Sequence, residues 1–315
     1  MPELPEVETV RAGLEPLLSG ATINAVTVFR DSCVRHQGGG VSEFTLALTG
    51  ASVVSVVRRG KFLWFLLDFD NKGGGEGGGV PGLALSAHLG MSGQFRSFAG
   101  QAPAPHTHSR ARLGLSRGAG GLTLDFLDQR TFGYLHVEPL VPTTDGGQGG
   151  QGSPLPVLPR SVAHIARDAL DPAVDIVRAG NALRKGGRAI KSVLLDQTVV
   201  SGIGNIYADE ALWASRIHPS RRADSLTAAE ASRLLDVARK VMTRALAKGG
   251  TSFDALYVNV NGDSGYFSRD LAAYGRPGEP CFRCGTMMMR DRIGGRSSHW
   301  CPRCQRVKHP GTDRD

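Results

Sequence analysis

Apolar side chains at Val7, Val10, Leu14 and Leu17 recur at three- and four-residue intervals, so residues 3–18 are expected to form a helix with one buried face. After Gly20 the period shortens. Val53–Val57, Phe62–Leu67, Leu83–Leu89, Arg110–Leu115 and Leu122–Leu127 are short β-rich runs punctuated by glycine, the pattern of an antiparallel sandwich or barrel. Helical spacing returns in the second half. Lys191–Val200 reads as a short helix, the glycines of Ser201–Asn205 allow a tight turn, and a second helix starts near Ile206 with Asn205 as its N-cap. Free N–H groups at such a helix start suit a phosphate, although an ordinary helical hairpin turn has the same spacing. Thr227 and Glu230 then form a T-x-x-E capping box. Beyond it, Leu234, Leu235, Ala238, Val241, Met242, Ala245 and Leu246 line one face until Gly249–Gly250 stops the helix.

Two glycine-rich stretches, Asn71–Gly79 and Gly146–Gly152, read as tolerated surface insertions. The second runs into SPLPVLPRS, a proline-rich segment expected to act as an interdomain linker. The pattern therefore predicts a β-rich first domain, a linker, a helical second domain and a short C-terminal module.

Chemistry concentrates in that module. Cys281-Phe-Arg-Cys284 and Cys301-Pro-Arg-Cys304 are separated by sixteen residues, the spacing of a structural zinc site built on two tight turns and a hairpin. Sulfur fills all four positions, which leaves no open coordination site for catalysis. The module also carries Arg283, Arg290, Arg292, Arg296, Arg303 and Arg306, which suits a nucleic-acid probe. The remaining cysteine, Cys33, reads as a small buried side chain. Over the 315 residues, 37 Lys plus Arg against 29 Asp plus Glu give a net charge of +8, which favours a polyanionic partner. No apolar run is long enough to span a membrane, and MPELPEVETV lacks the basic-then-apolar order of a secretory signal, so a cytoplasmic location is expected.

Three stretches carry a family resemblance. The opening MPELPEVETV, the turn SGIGNIYADEAL and the C-terminal CFRCG…RSSHWCPRCQ together resemble formamidopyrimidine-DNA glycosylase, a helix–two-turn–helix repair enzyme, with KFLWF, HLGMSG and DQRTFG between them in the same order. The resemblance covers roughly residues 1–305. It implies an α+β multidomain fold: an N-terminal catalytic β-sandwich with a leading helix (1–145), a linker (146–163), a helix–two-turn–helix domain (164–275), a four-cysteine zinc finger (276–305) and a tail (306–315). It also implies a monomer that acts on double-stranded DNA containing oxidised bases or abasic sites.

The same resemblance implies roles for individual residues. Pro2, exposed once Met1 is removed, becomes the nucleophile; a free α-amine titrates near pH ~8, so part of it is neutral at cellular pH. Glu3 protonates the sugar ring oxygen, Lys61 assists β-elimination and Arg296 δ-elimination. Met91, Arg130 and Phe132 fill the hole left by an extruded base. Lys191 and Asn205 bind flanking phosphates, and His106 contacts DNA. Taken alone, each has a plainer reading: Lys61 as an edge-strand charge, Met91 and Phe132 as core, Arg130 and Arg296 as solvated cations. His106 and His108 offer a metal pair, but no third ligand lies near them in sequence. Glu6 orders either a water or the first helix.

Two departures qualify the carry-over. Thr131 stands where the family often has a second basic residue, and Gly250–Tyr266, which corresponds to the lesion-recognition loop, differs in its middle. The competing readings are an endonuclease VIII-like enzyme for oxidised pyrimidines and a non-catalytic zinc-dependent DNA-binding protein. Leu4 and the Met91–Arg130–Phe132 set argue against the first, and the Pro2-Glu3 start against the second.

Overall fold

In the computed structural model, residues 2–68, 82–250 and 270–306 are described. The Asn71–Gly79 stretch, all of Gly250–Tyr266 after its first residue, and the tail beyond Arg306 lie outside them. The chain forms two compact units. The first reaches His164, the second begins at Ile165, and Gly249 and Gly250 return to the first.

The first unit opens with helix α1 (Leu4–Leu18), and a second helix, α2, spans Gly40–Leu48. Strands β1 (Thr22–Val28), β2 (Ser52–Arg59), β3 (Phe62–Asp68), β4 (Leu83–His88) and β5 (Gly93–Ala99) are followed by β6 (Ser109–Arg117), β7 (Gly120–Asp128), β8 (Tyr134–Pro142) and β9 (Val157–Pro159). They make one nine-stranded sheet in the order β5-β7-β6-β1-β2-β3-β4-β8-β9. β1 pairs with β6 from Thr22↔Ser116 to Val28↔Ala111, but its register with β2 is the single pair Thr22↔Ser52. The sheet parts there and folds back on itself. Phe65 of β3 lies 5.8 Å from Phe95 of β5, ring centre to ring centre, although those strands stand far apart in the sheet order. The expected sandwich is thus one sheet doubled over a core of Phe65, Phe95 and Phe126, closed by Val7, Val10 and Leu14 of α1.

α1 is fixed to β2 by charge as well as by apolar contact. The Glu8 carboxylate accepts from Arg11 Nε at 3.0 Å and from Arg58 Nε at 2.7 Å, with all three side chains buried. The Glu8–Arg58 pair ties α1 to β2.

Two expectations fail in this unit. SPLPVLPRS is not a free linker, because Val157–Pro159 pairs with β8 as the last strand of the sheet. Nor is Gly146–Gly152 a loose insertion. Gln151 exchanges backbone hydrogen bonds with Arg58, and Arg59 Nε donates to Gly149 O at 2.8 Å. A Cβ on Gly150 would lie 2.3 Å from Arg58 O, and one on Gly149 would lie 2.0 Å from Val157 O. Glycine is needed there because two backbones nearly touch.

The second unit holds α3 (Ile176–Leu183), α4 (Ile190–Leu194), α5 (Asn205–Ser215), α6 (Ala228–Ala247) and the hairpin β10 (Met289–Ile293) and β11 (Arg296–Trp300). α6 starts at the expected capping box, in which Thr227 Oγ1 accepts from Glu230 N and Glu230 Oε2 accepts from Thr227 N. Its stripe of Leu234, Leu235, Ala238, Val241, Met242 and Ala245 is buried. At roughly 1.5–3 kcal/mol per large apolar side chain, that stripe alone explains why the helix persists. Glu210 of α5 accepts the N–H groups of Ala272, Ala273 and Tyr274, which joins the helical region to the cysteine module within one unit. No helix among the described residues is long and apolar enough to cross a membrane.

Candidate functional site

Pro2 and Glu3 are buried at the head of α1. Glu3 is the N-cap, and its N–H donates to Glu6 Oε2 at 2.8 Å. Glu6 therefore orders the helix start, one of the two roles considered for it. A Cβ on Gly250 would lie 3.0 Å from Glu6 Oε1, so the chain passes close to this carboxylate. Glu3 is thereby held in an extended conformation beside a carboxyl group. Lys61 follows the Gly60 turn between β2 and β3 and is 8% exposed. Its charge helps lower the pKa of His88, after burial and Arg35, so Lys61 and His88 share one environment.

Met91, Arg130 and Phe132 come together. Arg130 Nη1 lies 3.9 Å from Met91 Sδ, and Met91 and Phe132 are 43% and 57% exposed. The plainer core reading of these two fails, because large apolar groups in water are of no benefit to the fold. Two turns present them. A Cβ on Gly90 would lie 2.5 Å from Gly133 N and 2.7 Å from the Phe132 carbonyl carbon, so the turns abut backbone to backbone. Asp128 binds them: its carboxylate accepts from Ser92 Oγ and from Gly133 N at 2.7 Å, while Ser92 Oγ accepts from Arg130 N at 2.9 Å. Sequence reasoning missed Asp128 and Ser92, although both lie inside the quoted motifs. It also missed Arg35, whose Nη1 and Nη2 donate to Gly133 O at 2.8 Å and Phe132 O at 2.9 Å.

Behind these turns is an aromatic group. His88 stacks on Tyr134 with ring centres 5.3 Å apart, and His36 meets Tyr134 edge-on at 4.4 Å. Burial holds both histidines below their usual range, reinforced by the charge of Arg35, and raises the Tyr134 phenol. His88 Nδ1 accepts from Gly90 N at 3.1 Å. His106 is exposed, and its Nδ1 accepts from His108 N. Cys33 is buried with its thiol pushed up to about 11, chiefly by desolvation, as an inert core group would be.

In the second unit, Asn205 is not an N-cap. Gly204 takes that position, with φ −119° and ψ −160°, and Asn205 is the first helical residue. Its buried Oδ1 has no hydrogen-bond partner among the described residues. Gln197 shapes the preceding turn by accepting from Gly202 N and donating to the carbonyls of Leu195 and Ile203. Lys191, expected to meet a flanking phosphate, does not face solvent. Its side chain is fully buried, with Nζ 2.7 Å from Asp209 Oδ1 and donating to Ser297 O. A motif position specifies a residue type, and here the ammonium is engaged inside the unit.

The four sulfurs of Cys281, Cys284, Cys301 and Cys304 all lie within 4.8 Å of one another. Cys284 and Cys301 are 3.5 Å apart, near the roughly 3.8 Å edge of a tetrahedron with Zn–S bonds of about 2.3 Å. Trp213 Nε1 donates to Cys281 Sγ and Cys304 N to Cys301 Sγ, each at 3.4 Å, which suits thiolates. The residues fit one structural zinc. Arg283 lies over the Trp213 ring at 4.2 Å, whereas Arg290, Arg292, Arg296, Arg303 and Arg306 are exposed. Arg296 begins β11, immediately after the Gly294–Gly295 turn.

The chain matches three family models: the formamidopyrimidine-DNA glycosylase N-terminal domain over residues 1–135, the H2TH domain of that enzyme over 165–255, and the zinc finger found in FPG and IleRS over 278–307. It is 49% identical to the formamidopyrimidine-DNA glycosylase of Leifsonia xyli over 308 residues, 98% of this chain and all of that one. Among solved structures, the Lactococcus lactis Fpg bound to DNA containing an abasic site is 30% identical with a TM-score of 0.75, covering 96% of this chain and 99% of that one. MutM from Thermus thermophilus is 36% identical with a TM-score of 0.74, covering 98% and 100%. By sequence along its whole length and by the fold of both units, this chain belongs to the formamidopyrimidine-DNA glycosylase family.

Proposed function

We propose that the chain is a bifunctional glycosylase and abasic-site lyase of base-excision repair, removing formamidopyrimidines and 8-oxoguanine from duplex DNA. The observation that carries this reading is the exposed cluster of Met91, Arg130 and Phe132 on two abutting turns. A base in a duplex is reached by extruding it, at a few kcal/mol, and a thioether, an aromatic wedge and a cation can refill the stack and pair with the orphaned base. Relatives bear on the substrate: a MutM structure holds DNA containing carbocyclic 8-oxo-G, and one of the L. lactis enzyme holds DNA containing an oxidised pyrimidine.

In this reading the secondary amine of Pro2 attacks C1′ of the damaged nucleotide, the C1′–N bond to the base breaks, and an iminium links protein to sugar. Glu3, held beside Pro2 at the head of α1, donates the proton that opens the sugar ring. The iminium acidifies the C2′ proton; Lys61 assists β-elimination, and Arg296 assists δ-elimination. Asn205 and His106 hold the DNA backbone. Zinc supplies only the cross-link that shapes the arginine-bearing hairpin. The work place is the bacterial cytoplasm, on genomic DNA, by a monomer.

Borohydride trapping tests the proposal. A covalent adduct is expected with duplexes carrying 8-oxoguanine, and Pro2→Gly should reduce it sharply. An adduct confined to oxidised pyrimidine would replace the substrate class. Full trapping by protein that retains Met1 would overturn the nucleophile.

A further inference from the structure

Thr131 stands between two residues of the exposed cluster, Arg130 and Phe132, and has φ +57°. A β-branched side chain in the left-handed region is strained, and such a conformation persists only where its surroundings impose it. Two sets of groups impose it here. On one side Asp128 and Ser92 hold Gly133 N and Arg130 N. On the other, one guanidinium takes the two carbonyls that follow Thr131: Arg35 Nη2 donates to Phe132 O at 2.9 Å and Nη1 to Gly133 O at 2.8 Å. Arg35 is itself fixed. Its Nη1 also donates to Ser32 O at 3.0 Å, and its guanidinium carbon lies 5.0 Å from the centre of the Tyr134 ring, which stacks on His88.

We infer that Arg35 is a positioning residue for the duplex-opening wedge, clamping the two peptide planes on either side of Gly133, the first of them leaving Phe132, so that the strained Thr131 turn presents that ring in one orientation before DNA arrives. The fork geometry matters. Two N–H groups of one planar cation fix two successive carbonyls, and thereby the path of the chain as it leaves Phe132. Because Gly90 abuts Phe132 and Gly133, the same clamp steadies the Met91 turn. A wedge ordered in advance does not lose its loop entropy at the moment of insertion. The inference rests on the wedge role proposed above for Met91, Arg130 and Phe132.

The test uses full-length zinc-loaded protein and four variants, Arg35→Met, Arg35→Lys, Phe132→Ala and the double variant Arg35→Met/Thr131→Gly. Two single-turnover rates are compared: 8-oxoguanine excision from duplex, and strand cleavage at a preformed abasic site. A 2-aminopurine beside the lesion reports insertion. Arg35→Met is expected to slow excision and the 2-aminopurine signal on the order of tenfold, with cleavage of the abasic strand slowed no more than about threefold. Arg35→Lys should fall between, since an ammonium is a poor match for two carbonyls in one plane. Thr131→Gly, which takes a positive φ without a Cβ penalty, should restore part of the loss in the double variant. If Phe132→Ala is impaired while Arg35→Met keeps both rates, the clamp is wrong and the wedge stands. If Phe132→Ala keeps wild-type excision, the wedge reading itself fails. Equal loss on both substrates, or no recovery with Thr131→Gly, would make Arg35 a general fold contact and overturn the inference.

Discussion

The Lys191 ammonium lies 2.7 Å from Asp209 Oδ1, and neither side chain is exposed to water. The pair is the centre of a small lattice. Asp209 Oδ2 accepts from His299 N at 2.9 Å, and Lys191 Nζ also donates to Ser297 O, so α4, α5 and β11 meet on two side chains. Removing one member leaves the other charged and buried, which typically costs about 3–5 kcal/mol. Lys191→Met should therefore lower the urea midpoint strongly, and Lys191→Met with Asp209→Leu should recover part of the loss. A midpoint unchanged in Lys191→Met would show that the pair stabilises nothing.

That pair also marks where sequence reasoning stops. α6 can be read directly because its cap, apolar stripe and glycine stop all act within one helix. The zinc site can be read because two pairs of cysteines carry their own spacing. Lys191 cannot, since its role depends on Asp209 and Ser297, and nothing local states whether a lysine faces water or another helix. Composition makes Gly146–Gly152 a loop; only the partner strand reveals that Arg58 and Val157 come too close for any Cβ. Asn205 is a favoured N-cap type, yet Gly204 enters the helix in its place. Arg35 belongs to no motif, and the two turn carbonyls it holds, those of Phe132 and Gly133, lie nearly a hundred residues away.

Zinc removal should act on fold and DNA binding together. The sulfur cluster packs with buried Ala273 and Met288, so the small module has little apolar core of its own. Chelation, or Cys281→Ser, should lower the thermal midpoint and abolish binding to duplex, while zinc added back should restore the chelated protein. Binding that survives complete removal of the metal would place the DNA contacts elsewhere.

Glu230 offers a test by pH. Arg221 grips both its oxygens, at 2.8 and 2.9 Å, and this fork holds its carboxyl down at about 2. A depressed carboxyl stabilises the fold fully above its unfolded pKa, near 4.5, and ceases to do so as pH falls through the folded value. Glu230→Gln should therefore be less stable than wild type at neutral pH, with the gap closing between about pH 4.5 and 2. A gap independent of pH across that window would assign the effect to the capping hydrogen bonds rather than to the charge.

Gly150 links fold to chemistry. Its backbone lies against Arg58, which pairs with Glu8 of α1 and stands three residues before Lys61. A Cβ there would meet Arg58 O at 2.3 Å and Trp64 Cη2 at 3.3 Å, so Gly150→Ala forces β2 to move. Overpacking of this kind typically costs about 1–3 kcal/mol. Gly121, with open space around it, is the control, and alanine there should stay within about 0.5 kcal/mol of wild type. The displacement should reach Lys61 through the shared strand end, so cleavage at a preformed abasic site should slow in Gly150→Ala beyond what its lowered stability explains. Measured well below the melting transition of both variants, equal cleavage rates for Gly150→Ala and Gly121→Ala would show that the glycine serves packing alone and that Lys61 is placed independently of it.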